Sequence, residues 1–110
     1  MSKIQIIGTK KIIIEDENLS IKELVEKAVK EKISLINADL NSSDLRNCDL
    51  TRANLAGADL IDSDLRGCNL ENVDLFRANL LDAKINQDQL ADLVRAQGIK
   101  IINKKENDNT

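Results

Sequence analysis

The sequence predicts a solenoid of very short units with a cap at each end, and three observations predict it. Residues 33–87 read as eleven consecutive five-residue units, centred on Leu from Leu35 through Leu80 and then on Ile85. A period of five matches neither the 3.6 of a helix nor the 2 of an alternating strand, and a short strict repeat is the mark of a stacked architecture. The chain also repeats at twenty. Residues 61–80 match 41–60 at nine of twenty positions, Ser43-Asp44-Leu45-Arg46 returns as Ser63-Asp64-Leu65-Arg66, and Cys48 returns as Cys68. Ala38, Ala58 and Ala78 form one column at the same spacing. A simple period of five would not bring cysteine back only at twenty, so four units make a coil and the 55 residues make about 2.75 coils.

Composition fits a thin aliphatic interior. The 110 residues include no Pro, Trp, Tyr or His and a single Phe, so Leu, Ile and Val must carry the core. Net charge is −3, from 16 basic and 19 acidic residues. This is too mild to indicate nucleic acid or an anionic membrane as direct partner. Apolar runs are too short to span a bilayer, and the N-terminus has no signal-peptide apolar stretch. A cytoplasmic location is therefore expected. One structural domain is expected, in four parts: an N-terminal hairpin and capping helix at 1–32, the repeat at 33–87, a C-terminal capping helix and short strand at 88–102, and a disordered tail at 103–110 with no apolar residue.

The first part opens with two β-branched runs, 3–7 and 10–14, around Gly8-Thr9. A two-residue connection with Gly first fits a tight II′ hairpin turn; an irregular extended arm is the alternative. After an acidic linker, Ser20 and Glu23 form an S-x-x-E capping box. Ile21, Leu24, Val25, Ala28 and Val29 then make one apolar helical face. Glu23–Lys27 and Glu26–Lys30 are spaced for ion pairs on the wet face, and the helix should end near Lys30–Lys32, where cations suit the C-terminal dipole.

In each repeat unit a small or modest apolar residue stands two before the centre, and Asp or Asn stands between them in nine of eleven units, Ser34 and Lys84 being the exceptions. These residues resemble the pentapeptide-repeat family, whose motif is A(D/N)LXX. The resemblance covers half of the chain. It implies a right-handed quadrilateral β-helix in which the central Leu and the small residue point inward and the other three positions point out. With its hairpin–helix start the chain also looks like small standalone members encoded by bacteria and their phages; a non-enzymatic protein is expected because the chain offers no candidate catalytic residues.

Stacked strands lie about 4.8 Å apart, so the helix is only about 13 Å long and both ends need caps. The first helix is the N-terminal cap. Residues 86–97, with Leu90, Leu93 and Val94 as apolar stripe and Gly98 as C′ residue, are the C-terminal cap. A strand-like run, Ile99, Ile101 and Ile102 around Lys100, follows. It is expected to pair with Lys10–Ile14 or with the same run of a second copy.

No residue set points to catalysis, a metal or a cofactor. Two thiols without His cannot make a zinc site. Cys48 and Cys68, in adjacent coils, are within disulfide reach, but buried free thiols are the expected state in a reducing cytosol. Asn replaces Asp freely at the position before Leu, so that position does not demand a general acid; backbone bonding at the coil corners explains both residue types. The outward apolar residues are the candidate interaction surface: Ile36, Ala56 and Phe76 on one face, Ile61 and Leu81 on the next. Such a strip is either covered by the N-terminal hairpin or is an interface.

The expected function is a rigid protein-interaction module with a protein partner and a possible homodimer through Ile99, Ile101 and Ile102. The alternative, implied by family members that protect gyrase, is a DNA mimic that inhibits or protects a DNA-handling enzyme. A continuous acidic face would favour that alternative. The repeat instead mixes nine acids with five bases, and stacks Arg46 under Arg66.

Overall fold

Between residues 33 and 87 the backbone returns to the same place every twenty residues. Parallel bridges join Asp39 to Asp59, Asp44 to Asp64, Asp49 to Asn69, Asn54 to Asp74, Asp59 to Asn79 and Asp64 to Lys84. The chain is a β-solenoid. Each junction bonds in both directions: Leu55 N–H donates to Asp74 C=O at 2.8 Å, and Asp74 N–H donates back to Ala53 C=O at 2.9 Å. The computed structural model describes residues 2–102; the expected disordered tail at 103–110 lies outside them.

The inward register is the one the repeat predicts. The central leucines from Leu35 to Leu75 are fully or almost fully buried, together with Ala38, Cys48, Ala53, Ala58, Cys68 and Val73. Leu80 and Ile85, in the last units, are only partly covered. Ser63 replaces a small apolar residue inside and remains satisfied, its hydroxyl donating to Leu40 C=O at 2.7 Å and accepting from Ser43 N–H.

The corners follow from two local bonding patterns. After nearly every central Leu, its C=O accepts from the N–H three residues on, as in Cys48 to Leu45 and Ala58 to Leu55 at 3.0 Å. The residue two after the Leu is left-handed throughout, from Asn37 (φ 59°) to Asp82 (φ 60°), with Gly57 and Gly67 in the same role. Positive φ at the third residue is the type II requirement, and Gly, Asn and Asp meet it at least cost. The motif Asp or Asn supplies the second pattern. In all nine such units its Oδ1 accepts from the N–H two residues on, as Asp39 does from Asn41 and Asn54 from Ala56. Either residue type offers that oxygen, which is why they interchange.

β1 (Ser2–Ile6) and β2 (Ile12–Asp16) form the expected hairpin, antiparallel and shifted outward by one or two residues from the predicted runs. The connection is not a two-residue II′ turn. Thr9 N–H and Oγ1 both donate to Ile6 C=O, Gly8 sits at φ 71°, and Ile6 N–H closes a wider loop on Lys11 C=O. A register shift beyond Ile4 absorbs an extra residue on β2. β1 also pairs with β3 (Ala38–Asp39), so the sheet runs β2-β1-β3. The hairpin thereby covers the exposed edge of the first coil and plants Ile4 in the core.

α1 (Ile21–Lys30) has both bonds of the capping box and buries Leu24, Val25 and Ala28. The expected Glu23–Lys27 and Glu26–Lys30 pairs are absent. Glu23 is engaged by Ser20 N–H, Glu26 accepts from Asp49 N–H at 2.9 Å, and Lys27 turns to Asp16 at 3.5 Å. Lys32, at φ 59°, ends the helix in a Schellman motif: Ile33 N–H donates to Ala28 C=O and Lys32 N–H to Val29 C=O.

At the other end a 3₁₀ turn, Gln87–Gln89, leads into α2 (Leu90–Ala96). Leu93 packs on the core, but Leu90 is 52% exposed and does not belong to the covering stripe. Gln89 takes the inward place instead, because the open end of the stack presents the Cys68 carbonyl, which only a donor can satisfy. Its Nε2 donates to Leu65 C=O at 2.8 Å and Cys68 C=O at 2.9 Å. Gly98 (φ 86°) closes α2 in a second Schellman motif, with Ile99 N–H on Val94 C=O and Gly98 N–H on Arg95 C=O. Residues 99–102 form no strand, and among the described residues β2 pairs only with β1. The Schellman motif turns the Ile99 N–H back onto α2 and away from any ladder.

Candidate interaction surface

The outward apolar residues fall into two columns, each held by backbone bonds between coils. Asn37 N–H donates to Ala56 C=O and Gly57 N–H to Phe76 C=O, which brings 36, 56 and 76 into line. Ser42 N–H on Ile61 C=O and Asp62 N–H on Leu81 C=O align 61 with 81. The columns border one face of the solenoid, with Asp39, Asp59 and Asn79 between them in sequence. Asn41 Nδ2 reaches Asp59 at 3.4 Å, and Ile61 is half-buried beside it.

The hairpin joins this face at its first-coil edge, through Ala38 and Asp39, while Ile36, Phe76 and Leu81 stay exposed and Ala56 and Ile61 are half-buried. Ile36 is 43% exposed, Phe76 52% and Leu81 63%. Gly98, at the end of α2, lies over the Phe76 ring, where a Cβ would sit 3.5 Å from Cδ2. The Arg77 guanidinium is 5.3 Å from the ring centroid, within cation–π range. Ile99, Ile101 and Ile102 continue from Gly98 and are all exposed. The last coil and the segment after α2 therefore present apolar side chains at the same end of the molecule.

The face that carries Arg46 and Arg66 is charged but compensated. Each arginine grips the Asp two residues before it with a two-pronged bond, Arg46 on Asp44 and Arg66 on Asp64. Arg46 also reaches Asp64 of the next coil at 4.0 Å. The Arg66 guanidinium holds the Asp64 carboxyl down at about 2. This face is a ladder of ion pairs, not a run of free carboxylates.

The cysteines are buried free thiols. Cys68 Sγ donates to Leu45 C=O at 2.8 Å, and burial pushes the Cys68 thiol up to about 11 and the Cys48 thiol higher. Neither is a nucleophile near neutral pH. Among the described residues no group of three or more His, Cys, Asp or Glu is placed to hold a metal ion. Among the same residues no helix is long and apolar enough to cross a membrane.

The family model for pentapeptide repeats matches residues 33–72 and 53–87, as eight copies, together spanning half of the chain. The chain belongs to the pentapeptide-repeat family. A search of curated proteins finds no match. In this pentapeptide-repeat protein the two features that sequence reasoning missed are the left-handed corner position and the Asn86–Gln89 plug. The first had a signal: seven of the ten residues at 37, 42 and so on to 82 are Asn, Asp or Gly. The second had half of one, since Asn86 and Gln89 stand three apart at a helix start. Asn86 N–H donates to Gln89 Oε1, while Asn86 Oδ1 accepts from Gly67 N–H at 2.8 Å.

Proposed function

We propose that this protein is a non-enzymatic, cytoplasmic interaction module, a rigid right-handed four-sided coil of about 2.75 turns whose contact surface is its C-terminal end. The observation that carries the reading is the exposure of Leu81, at 63%, beside Phe76 on the last coil. Neither the hairpin nor α2 covers it, and Ile99, Ile101 and Ile102 enlarge the same apolar end. Large aliphatic and aromatic side chains grouped on a rigid surface suit a protein partner. A second copy is one such partner, since two-fold dimers are the commonest oligomer and present the same patch to itself.

The DNA-mimic reading has less support, because Asp44 and Asp64 are matched by Arg46 and Arg66. Light scattering on the full chain, on a chain ending at Gly98 and on Leu81→Asp tests the proposal. A dimer that both changes dissolve is expected. A full chain monomeric at high concentration argues against the second copy, and a dimer that persists in both variants argues against this surface. Inhibition or protection in a gyrase supercoiling assay would favour the mimic instead.

A further inference from the structure

We propose that the cleft between the end of α1 and the first coil binds a carboxylate, carried by a small acid or by an acidic peptide side chain. The cleft has a volume of about 400 Å³. It lies at the opposite end of the coil from the surface above and does not rest on that reading.

The argument starts from the solenoid ladder. The N–H before each central Leu donates to the preceding coil, as Asp59 does to Ala38 C=O and Asp74 to Ala53 C=O. In the first coil those amides, at Asp39, Asp44 and Asp49, have no coil before them. The chain supplies substitutes on two faces. β1 pairs with Asp39, and the Glu26 carboxylate accepts from Asp49 N–H at 2.9 Å. On the next face the first unit does lie beside Asn54, since Leu35 N–H donates to Asn54 C=O at 3.0 Å, but Asn54 N–H has no partner among the described residues. The amide position that takes a carboxylate of the protein itself at Asp49 is open at Asn54. Asp44, whose amide is likewise unpartnered, differs in that the adjacent Arg46 is already committed to carboxylates.

Around Asn54 the cleft is built for an anion. Lys32 and Arg52 line it, and neither has a carboxylate within ion-pair distance among the described residues. Ser34 lines it too, with an Oγ that accepts from Ile36 N–H and keeps its own proton to donate. Three of the last four carbonyls of α1, which would repel an anion, are occupied: Lys27, Ala28 and Val29 C=O accept from Glu31, Ile33 and Lys32. Lys32 (φ 59°) and Arg52 (φ 63°) both sit in left-handed backbone, where a long side chain is disfavoured and Gly is not. An amide N–H beside a guanidinium fork matches the two oxygens of a carboxylate, and Val29 and Ile33 provide apolar walls for its carbon.

Amide NMR on the labelled full chain tests this, at constant ionic strength, with acetate, with a blocked Glu-Glu peptide and with inorganic phosphate. The Asn54 amide should shift and saturate with both carboxylates, while the Asp74 amide, bonded to Ala53, stays. Saturation by peptide at tenfold lower concentration than acetate assigns the side-chain source; equal concentrations assign the small acid. Lys32→Gly and Arg52→Gly suit the backbone and should each weaken binding about tenfold, with Lys32→Gln and Arg52→Gln as charge-only counterparts. No saturable Asn54 shift, or affinity unchanged in the paired variants, overturns the proposal. A phosphate response as strong as the carboxylate response overturns the assigned class.

Discussion

Asn47 and Gly67 occupy the same corner in adjacent coils, and the Asn47 carboxamide fills the space that a side chain on Gly67 would need. Asn37 and Gly57 repeat the arrangement two corners away. The Gly67 N–H goes on to Asn86 Oδ1, so this column is continued past the last repeat by the cap itself. A glycine here answers two demands, a left-handed backbone and the neighbour above it.

Gly67→Ala should accordingly cost more than conformation alone. The left-handed penalty is about 1–2 kcal/mol, and displacing Asn47 adds to it, for a loss of about 3 kcal/mol. Gly8, at φ 71° but with nothing within 4 Å of an added Cβ, isolates the first part, so Gly8→Ala should lose only about 1 kcal/mol. Urea unfolding of the two variants side by side gives the comparison; equal losses would mean that Asn47 gives way freely.

Inward leucines should dominate stability. Leu55→Ala and Leu60→Ala, both fully buried, should each cost about 2–5 kcal/mol. Arg52→Ala, outward, should stay within about 0.5 kcal/mol. Chemical denaturation reads both, and a loss at Arg52 matching that at Leu55 would contradict the register.

The plug at Gln89 predicts a polar cost at an apolar-looking place. Gln89→Leu leaves the Cys68 carbonyl without a donor and the Leu65 carbonyl with the Cys68 N–H alone, and should cost about 1–3 kcal/mol, despite adding an apolar side chain. Leu90→Ala should change stability by less than about 0.5 kcal/mol. Thermal melts that rank the two the other way round would return Leu90 to the core.

The Arg66 fork on Asp64 predicts a pH dependence with a definite sign. The folded carboxyl lies at about 2, below its unfolded value of about 3.9. Its contribution is therefore fully present above pH 4 and is lost as pH falls toward 2. Carboxyl NMR should show Asp64 titrating near 2, and in Arg66→Gln its midpoint should move up toward the ordinary range. An unmoved midpoint would assign the shift to another group.

The repeat was legible because its rules are local and periodic. Central Leu, the small residue two before it and the backbone-bonding Asp or Asn each recur at fixed spacing, so inward register and coil length follow from counting. Ser20 and Glu23 were legible for a similar reason, since a capping box closes within four residues. The Cys48 and Cys68 columns were readable as buried thiols from the twenty-residue return alone.

What the sequence by itself determined is the solenoid, its inward face, the existence of the hairpin and the first cap, all set by short-range spacing. Tertiary structure alone decided where the hairpin docks, which residue plugs the last coil and which apolar side chains stay in water. Nothing near Gln89 in sequence announces the Leu65 and Cys68 carbonyls, some twenty residues away, that draw it inward past Leu90. Nothing in the isoleucines after Gly98 announces that the end of α2 claims the Ile99 amide. Those outcomes depend on backbone groups left unpaired at the two ends of the stack, and such groups exist only once the coils have formed.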